Sequence, residues 1–143
     1  MEKHVIKWDL YSVDLKAYPE LQSTKIPSLL FISKFFDDGI EKFKKSMGLT
    51  EQYIATEMKS TVALESCIMI NRWVHNKQVD IKTRATKFDG RKVMMDQIIC
   101  SEDEILITQT TLSISFDIYR RKSCYFDEKI AINYKKFIDS AHY

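Results

Sequence analysis

The spacing of hydrophobic positions changes twice along this chain, and each change predicts a different kind of element. Between Leu29 and Met47, apolar residues recur every three or four positions, which is the period of one helix face. Pro27 stands where a first helical residue tolerates proline, and Gly48 follows as a residue suited to end a helix. We therefore predict one long helix, and its apolar face consists of Leu29, Ile32, Phe36, Ile40, Phe43 and Met47.

The segments on both sides of this helix alternate between apolar and polar residues, as half-buried strands do. Before the helix, "HVIKWDLYSV" places Ile6, Trp8 and Leu10 on one face. From Thr61 onward the period of two returns. It places Val62, Leu64, Ile68 and Ile70 on one face, with Ser66 as the polar exception.

Two further strands and a long third one follow in the second half of the chain. "QVDIKTRATKF" and "RKVMMDQIIC" are joined by Asp89-Gly90, a pair that favours a tight turn between antiparallel strands. "ILITQTTLSISFDIY" is unusually long, so we expect a bulge or a strong curl in it. Its apolar face holds Leu106, Leu112, Ile114, Phe116 and Ile118. A short helix within "INYKKFIDS" is expected near the end.

This order of elements predicts an α+β fold in which a curved antiparallel sheet wraps one long central helix, the plan of a hotdog domain. A helix with a full apolar face must be buried against a surface, and the one-sided strands supply that surface. The 143 residues suit one domain of ordinary size. We therefore expect a single hotdog domain over residues 1–143.

Composition and charge exclude several classes of partner. Hydrophobic residues make up 45% and charged residues 29% of the chain, which is typical of a folded protein that lives in water. The formal charge of +2 is too small to attract nucleic acid or an anionic membrane, and no run of apolar residues is long enough to span a bilayer. Cys67, Cys100 and Cys124 lack metal or disulfide spacing, so we expect reduced thiols and a cytoplasmic location, with neither metal ion nor cofactor.

Three stretches resemble the hotdog thioesterases, and especially the amino-terminal half of acyl-ACP thioesterases. They are "VIKWDLYSVDL" before the helix, "KKSMGL" at its end, and "VDIKTRATKFDGRKVMMDQII" followed by "ILITQTTLSISFDIYRRK", so the resemblance spans about Val5 to Lys122. It implies a hotdog fold, an acyl thioester of CoA or acyl carrier protein as ligand, and a homodimer. A second copy would supply the second domain that acyl-ACP thioesterases hold in one chain.

The sequence departs from the family between the first strand and the helix. Many thioesterases of this fold carry an Asp followed by a Gly-His-Asn type segment there, whereas this chain reads "YPELQSTKIP". The resemblance therefore implies the fold and ligand class more directly than it implies hydrolysis. The leading hypothesis is an acyl-thioester hydrolase; the alternative is a noncatalytic acyl-ligand sensor or dimerisation module with the same fold. A dehydratase is disfavoured because its His and acid arrangement is not visible.

The candidate catalytic residue is Asp37, because some hotdog thioesterases place a carboxylate on this helix and a carboxylate can attack a thioester or direct a water at it. Asp37 lies about 100° from Phe36 on the helical wheel, at the edge of the apolar face. Its neighbour Asp38 points outward, with Lys34 and Lys42 four residues to either side, as in a solvated ion pair. A solvated role for Asp37 stays open.

The basic residues Arg120, Arg121 and Lys122 end the long strand, where they can pair with the phosphates of CoA or a carrier protein. Charged residues that guard a strand edge against pairing would give the same sequence. The polar run Thr108, Gln109, Thr110, Thr111, Ser113 and Ser115 would fit either a cofactor groove or a strand facing solvent. We expect Asp14, Glu65 and His75 to be solvated residues in preference to catalytic ones, while His4 and His142 are terminal and uninformative.

Overall fold

A computed structural model of the chain describes residues 7–22, 24–75 and 77–141. The strands are β1 (Asp9–Asp14), β2 (Lys59–Ile70), β3 (Gln78–Phe88), β4 (Lys92–Ser101), β5 (Glu104–Asp117) and β6 (Lys122–Ser123). The α-helices are α1 (Leu29–Ser46), α2 (Glu51–Glu57) and α3 (Glu128–Ala141), and short 3-10 turns at Leu15–Ala17 and Pro19–Leu21 link β1 to α1. His4, Ile6 and His142 lie outside the described residues.

The strands form one antiparallel sheet in the order β1-β3-β4-β5-β2, with β6 paired to the end of β5. The sheet curls around α1, so the predicted α+β architecture with a long helix against a curved antiparallel sheet is confirmed. Asp89 and Gly90 make the predicted turn between β3 and β4, and the helix predicted near the end is α3, which is longer than "INYKKFIDS". The described residues contain no helix long and apolar enough to cross a membrane.

The long helix begins two residues later than Pro27 predicted. Ser28 has extended backbone angles and precedes the first helical residue, Leu29, so Pro27 lies outside the helix. Its end agrees with the prediction, because Gly48 follows Met47 with a φ of 107°, a conformation that glycine adopts without strain. Most of the predicted apolar face is buried, but Leu29 at its start is exposed and Ile40 is half-buried.

The predicted apolar faces of β1 and β5 point outward. On β1, Leu10 is half exposed while Val13 enters the core. On β5, an extra residue at Leu106 makes the expected bulge, since Ile105 pairs with Cys100 and Ile107 with Ile99. Leu106 and Ile107 are both buried at this bulge. Beyond them the buried positions of β5 are polar: Gln109, Thr111, Ser113 and Ser115. Leu112, Ile114 and Phe116 lie half-buried on the outer face.

Strand β2 also contains a bulge, which overturns the prediction of one continuous apolar face. Ala63 pairs with Ser113 and Glu65 with Leu112, so Leu64 is the extra residue. Val62 consequently lies on the outer face, opposite to the face that holds Ser66, Ile68 and Ile70. The middle of β2 is exposed on both faces.

Two groups of buried side chains form the core. One lies between the first half of α1 and the sheet, and the other joins the second half of α1 to α3, where Phe43 contacts Phe137 with ring centroids 4.9 Å apart. Gly39 allows α1 to approach β3 closely, because a Cβ there would lie 2.9 Å from Ile81 Cγ2. The core thus fixes which flank of α1 faces the rest of the sheet.

Candidate functional site

A buried hydrogen-bond network fixes the rotation of α1 on the sheet. Gln97 of β4 donates from Nε2 to the carbonyl oxygen of Phe36 at 2.9 Å and to Thr83 Oγ1 at 3.0 Å. Its own Oε1 accepts from Gln109 Nε2 of β5 at 3.0 Å. Gly39 lies against β3, and the backbone of Phe36 lies against β4. The flank that follows in the same direction around the helix therefore faces β5 and the edge strand β2.

This flank faces β2, as the contact between Lys44 and Ser60 shows, and we name the space between them the α1–β2 groove. The helix wall of this groove carries Leu30, Asp37 and Lys44, and each is seven residues from the next. Successive side chains of this set therefore lie about 20° apart around the helix and about 10.5 Å apart along it. Lys44 Nζ lies 3.3 Å from Ser60 Oγ, near the start of β2. Ser66 and Ile68 lie further along the floor of the groove. Ile68 pairs with Gln109 of β5, which belongs to the buried hydrogen-bond network that contacts Phe36.

The environment of Asp37 differs from that of an isolated surface carboxylate. Its side chain is exposed at the edge of the buried face of α1. Partial burial, followed by the nearby charges of Asp38 and Glu41, raises the pKa of the Asp37 carboxyl. The group thus has solvent access together with a proton affinity above that of an ordinary aspartate.

The neighbouring carboxylate occupies a different surface. Asp38 Oδ2 lies 3.0 Å from Lys34 Nζ on the outer side of α1, which is the solvated ion pair that the spacing predicts. Lys42, the other predicted neighbour, instead lies 3.3 Å from Asp9 of β1. The two consecutive aspartates therefore face different surroundings, and they form a matched pair for mutation.

The basic residues predicted to bind phosphate lie at the end of the sheet where β2 begins. Lys59 pairs with Asp117 and Ser60 with Phe116, and Lys122 of β6 also pairs with Asp117. Arg120 and Arg121 are exposed in the turn that follows β5, and exposed Lys122 begins β6 directly after it. These three residues, which we call the basic turn, are at the same end of the sheet as the contact between Lys44 and Ser60.

Polarity changes along the α1–β2 groove. At one end Leu30 is 78% exposed and Ile70 is 41% exposed, so the surface there is apolar. At the other end Lys44, Ser60 and the basic turn provide positive charge and hydroxyl groups. Asp37 lies midway along the flank, between the apolar and the cationic ends.

The polar run on β5 is divided between the two faces of the sheet. Gln109, Thr111, Ser113 and Ser115 are buried on the inner face, and Thr111 Oγ1 lies 3.4 Å from Ser66 Oγ on the groove floor. Thr110 lies on the outer face and donates to Asp96 at 3.3 Å. A strand facing solvent is therefore the wrong interpretation for the inner set.

The other candidate residues lie away from this groove. Asp14 accepts a hydrogen bond from the Lys16 amide at 2.9 Å and caps a 3-10 turn. Glu65 pairs with Leu112 on the outer face, and His75 is exposed after the end of β2. Within residues 7–22, 24–75 and 77–141, no three His, Cys, Asp or Glu side chains are grouped as a metal site requires.

Sequence reasoning missed the burial of Lys44 and the role of Gln97. The spacing of seven from Asp37 was a signal for Lys44, because it places both side chains on one flank. Gln97 gave no such signal, since it stands within an alternating strand where a solvent-facing glutamine would look the same. Its role depends on contacts with α1 that are distant in sequence.

Comparison with family models and with curated proteins gives no match. Comparison with solved structures gives many, at low sequence identity. The Staphylococcus aureus hypothetical protein SAV2348, solved in complex with CoA, is similar with a TM-score of 0.85 and 12% identity, over 100% of this chain and 91% of that one. These similarities identify the fold.

Named thioesterases are among the similar structures. DHNA-CoA thioesterase from Staphylococcus aureus has a TM-score of 0.74 and 12% identity, over 90% of this chain and 89% of that one. A probable thioesterase from Bartonella henselae has a TM-score of 0.72 and 16% identity, over 84% of this chain and 99% of that one. The chain therefore has the hotdog fold, in the form that these thioesterases share.

Proposed function

We propose that this hotdog-fold chain hydrolyses acyl thioesters of CoA or acyl carrier protein in the α1–β2 groove, with Asp37 as the reacting carboxylate. The observation that carries the proposal is the position of Asp37 between an apolar and a cationic end of one groove. An acyl thioester has the same order of groups: a hydrocarbon chain, a reactive carbonyl and a polar arm that ends in phosphate.

The chemistry of Asp37 suits thioester cleavage. A carboxylate can attack the carbonyl carbon, or it can remove a proton from a water that attacks it. If the carboxylate attacks, the thiolate leaves from a mixed anhydride with Asp37, which a water then hydrolyses to the acid and free Asp37. If the carboxylate activates a water, the thiolate leaves and the acid is formed directly. The raised pKa of Asp37 brings this carboxyl nearer to the range in which a general base works at neutral pH.

The two ends of the groove assign the parts of the ligand. The acyl chain lies against the apolar end, at Leu30, Ile68 and Ile70. The basic turn, with Arg120, Arg121 and Lys122, then binds the phosphates, because guanidinium and ammonium groups pair with phosphate oxygens. The CoA complex of SAV2348 and the CoA thioesterases of the same fold support a CoA ligand.

We further propose that the active form is a homodimer that pairs through β2. This strand is at the edge of the sheet, and Val62, Leu64 and Met69 expose 44%, 49% and 68% of their surfaces. A long edge strand with exposed apolar side chains is a template for pairing with another strand. A second copy would cover β2 and close the open side of the groove.

The free thiols Cys67, Cys100 and Cys124 fit activity in the reducing cytoplasm.

The second candidate function is binding without hydrolysis, as a sensor of acyl ligands. The segment "YPELQSTKIP", which lacks the Gly-His-Asn pattern, favours it. A panel of acyl-CoA and acyl-ACP substrates, with release of free thiol as the readout, separates the two functions. Thiol release above the uncatalysed rate supports the hydrolase. Absence of release together with thermal stabilisation by an acyl-CoA would support the sensor, since a ligand of the native state alone raises stability.

A further inference from the structure

We propose that Lys44 is a substrate-positioning residue, which donates a hydrogen bond to an amide carbonyl of the pantetheine arm that CoA and acyl carrier protein share. This inference rests on the proposed function, because it takes the α1–β2 groove as the ligand site. It adds a residue that recognises the arm between the reacting carbonyl and the phosphate.

The first support is the burial of this cation. The Lys44 side chain is only 7% exposed, whereas its partner Glu41 is 56% exposed. Burial of an ammonium group is costly unless its donors are satisfied. A lysine held at this position therefore needs acceptors nearby.

The second support is that the acceptors in this chain satisfy Lys44 poorly. Its Nζ lies 3.4 Å from Glu41 Oε1 and 3.3 Å from Ser60 Oγ. Charge-assisted hydrogen bonds between N–H and O are usually about 2.7–2.9 Å. An ammonium group has three donors, so Lys44 can donate to a further oxygen without losing a strong bond.

The third support is where the ammonium group lies. The ammonium group of Lys44 lies between exposed Glu41 and half-buried Ser60, at the cationic end of the groove. Lys44 is about 10.5 Å along the helix from Asp37, on the side toward the basic turn. A thioester at Asp37 with its phosphates at the basic turn places the intervening arm beside Lys44.

The neighbourhood of Lys44 favours a neutral acceptor over a phosphate. Ser60, which Lys44 contacts, is followed on β2 by Thr61 and Ala63. These two pair with the buried Ser115 and Ser113 of β5, so the inner face next to this contact has small side chains and hydroxyl groups. The amide groups of pantetheine fit such a floor. The clustered charges of the basic turn suit phosphate better than one lysine does.

The test compares the binding of CoA, phosphopantetheine and adenosine bisphosphate to the parent and to Lys44→Met, by titration calorimetry. Met keeps most of the buried stem and removes the cation. We expect Lys44→Met to bind CoA and phosphopantetheine roughly 10- to 100-fold more weakly, as loss of a charged hydrogen bond would cause. Adenosine bisphosphate, which lacks the arm, should bind both proteins equally.

The matched control is Lys45→Met, the same substitution at an exposed position next along α1. It should leave all three affinities unchanged. If Lys44→Met does not fold, Lys44→Gln is used in its place; it keeps a donor without the charge, and we expect it to weaken CoA and phosphopantetheine binding selectively.

Three outcomes would overturn the inference: equal affinities in the Lys44 variant and parent, equal weakening of adenosine bisphosphate, or no binding of CoA by the parent. Failure of the proposed hydrolysis is seen separately. A parent that binds CoA but releases no thiol from any acyl-CoA lacks the activity, yet a selective loss in Lys44→Met would still support the role of Lys44 in binding the arm.

Discussion

The side-chain amide of Gln97 on β4 donates to the backbone oxygen of Phe36 on α1 at 2.9 Å, and Phe36 is the residue just before Asp37. Gln97 also bonds Thr83 and Gln109, so three strands and the helix meet at one buried polar group. The direction in which Asp37 points depends on this contact, because the contact helps to fix the rotation of α1 over the sheet.

We expect Gln97→Leu to lower the free energy of unfolding by about 1–3 kcal/mol, since it leaves the buried Gln109 amide without its acceptor. Urea unfolding of parent and variant measures the loss. Gln52→Leu, at an exposed position on α2, is the control and should change stability by less than about 0.5 kcal/mol. A Gln97 variant as stable as the parent would mean that the network does not hold the helix.

Much of the fold follows from spacing in the sequence. The period of α1 and the Asp89-Gly90 turn are strong local signals, and they predict a helix and an antiparallel hairpin that the structure contains. The face of each strand was harder to predict. Bulges at Leu64 and Leu106 reverse the side on which later residues lie, and alternation alone does not reveal an extra residue.

The candidate site was only partly accessible from sequence. The helical wheel separates Asp37 from Asp38, and the structure places them on different surfaces. The buried polar face of β5 could not be predicted, because Gln109 and Thr111 are stabilised by partners on other strands. Hydrophobic patterning assigns such residues to solvent unless those partners are known.

A second polar contact makes stability depend on pH. The Asp127 carboxylate, just before α3, accepts a hydrogen bond from Tyr53 of α2 and lies 2.9 Å from Lys59 Nζ of β2. The hydrogen bond from Tyr53, followed by the bond from Lys59, lowers the pKa of the Asp127 carboxyl. The folded state therefore favours the charged form of this group over the protonated form.

A carboxyl whose pKa is lowered by folding stabilises the protein above its unfolded pKa of about 3.9, and this contribution is lost as pH falls through the folded value. We expect Asp127→Asn to be less stable than the parent at pH 7 and the difference to shrink below about pH 4. Urea unfolding across this range measures it. Glu128→Gln, at the exposed next position, is the control. A difference that stays constant with pH would contradict the assignment.

Pairing through β2 can be tested with one substitution made at both edges of the sheet. Leu64 on β2 is 49% exposed and Leu10 on β1 is 50% exposed, so the two Leu→Lys substitutions are matched in the exposure of the leucine that they replace. We expect the parent and Leu10→Lys to sediment as dimers at micromolar concentration and Leu64→Lys to sediment as a monomer, because a charged edge strand resists pairing. A monomeric parent, or a dimer that only Leu10→Lys dissociates, would contradict the proposed interface.

The most direct measurement of the proposed activity is thiol release from an acyl-CoA panel by the parent, Asp37→Asn and Asp38→Asn. Asparagine keeps the shape of aspartate and removes its ability to attack or to accept a proton. We predict that Asp37→Asn loses roughly 100-fold to 10,000-fold in rate, as removal of a general base does, while Asp38→Asn keeps the rate of the parent. Equal rates in the parent and both variants would contradict a chemical role for Asp37.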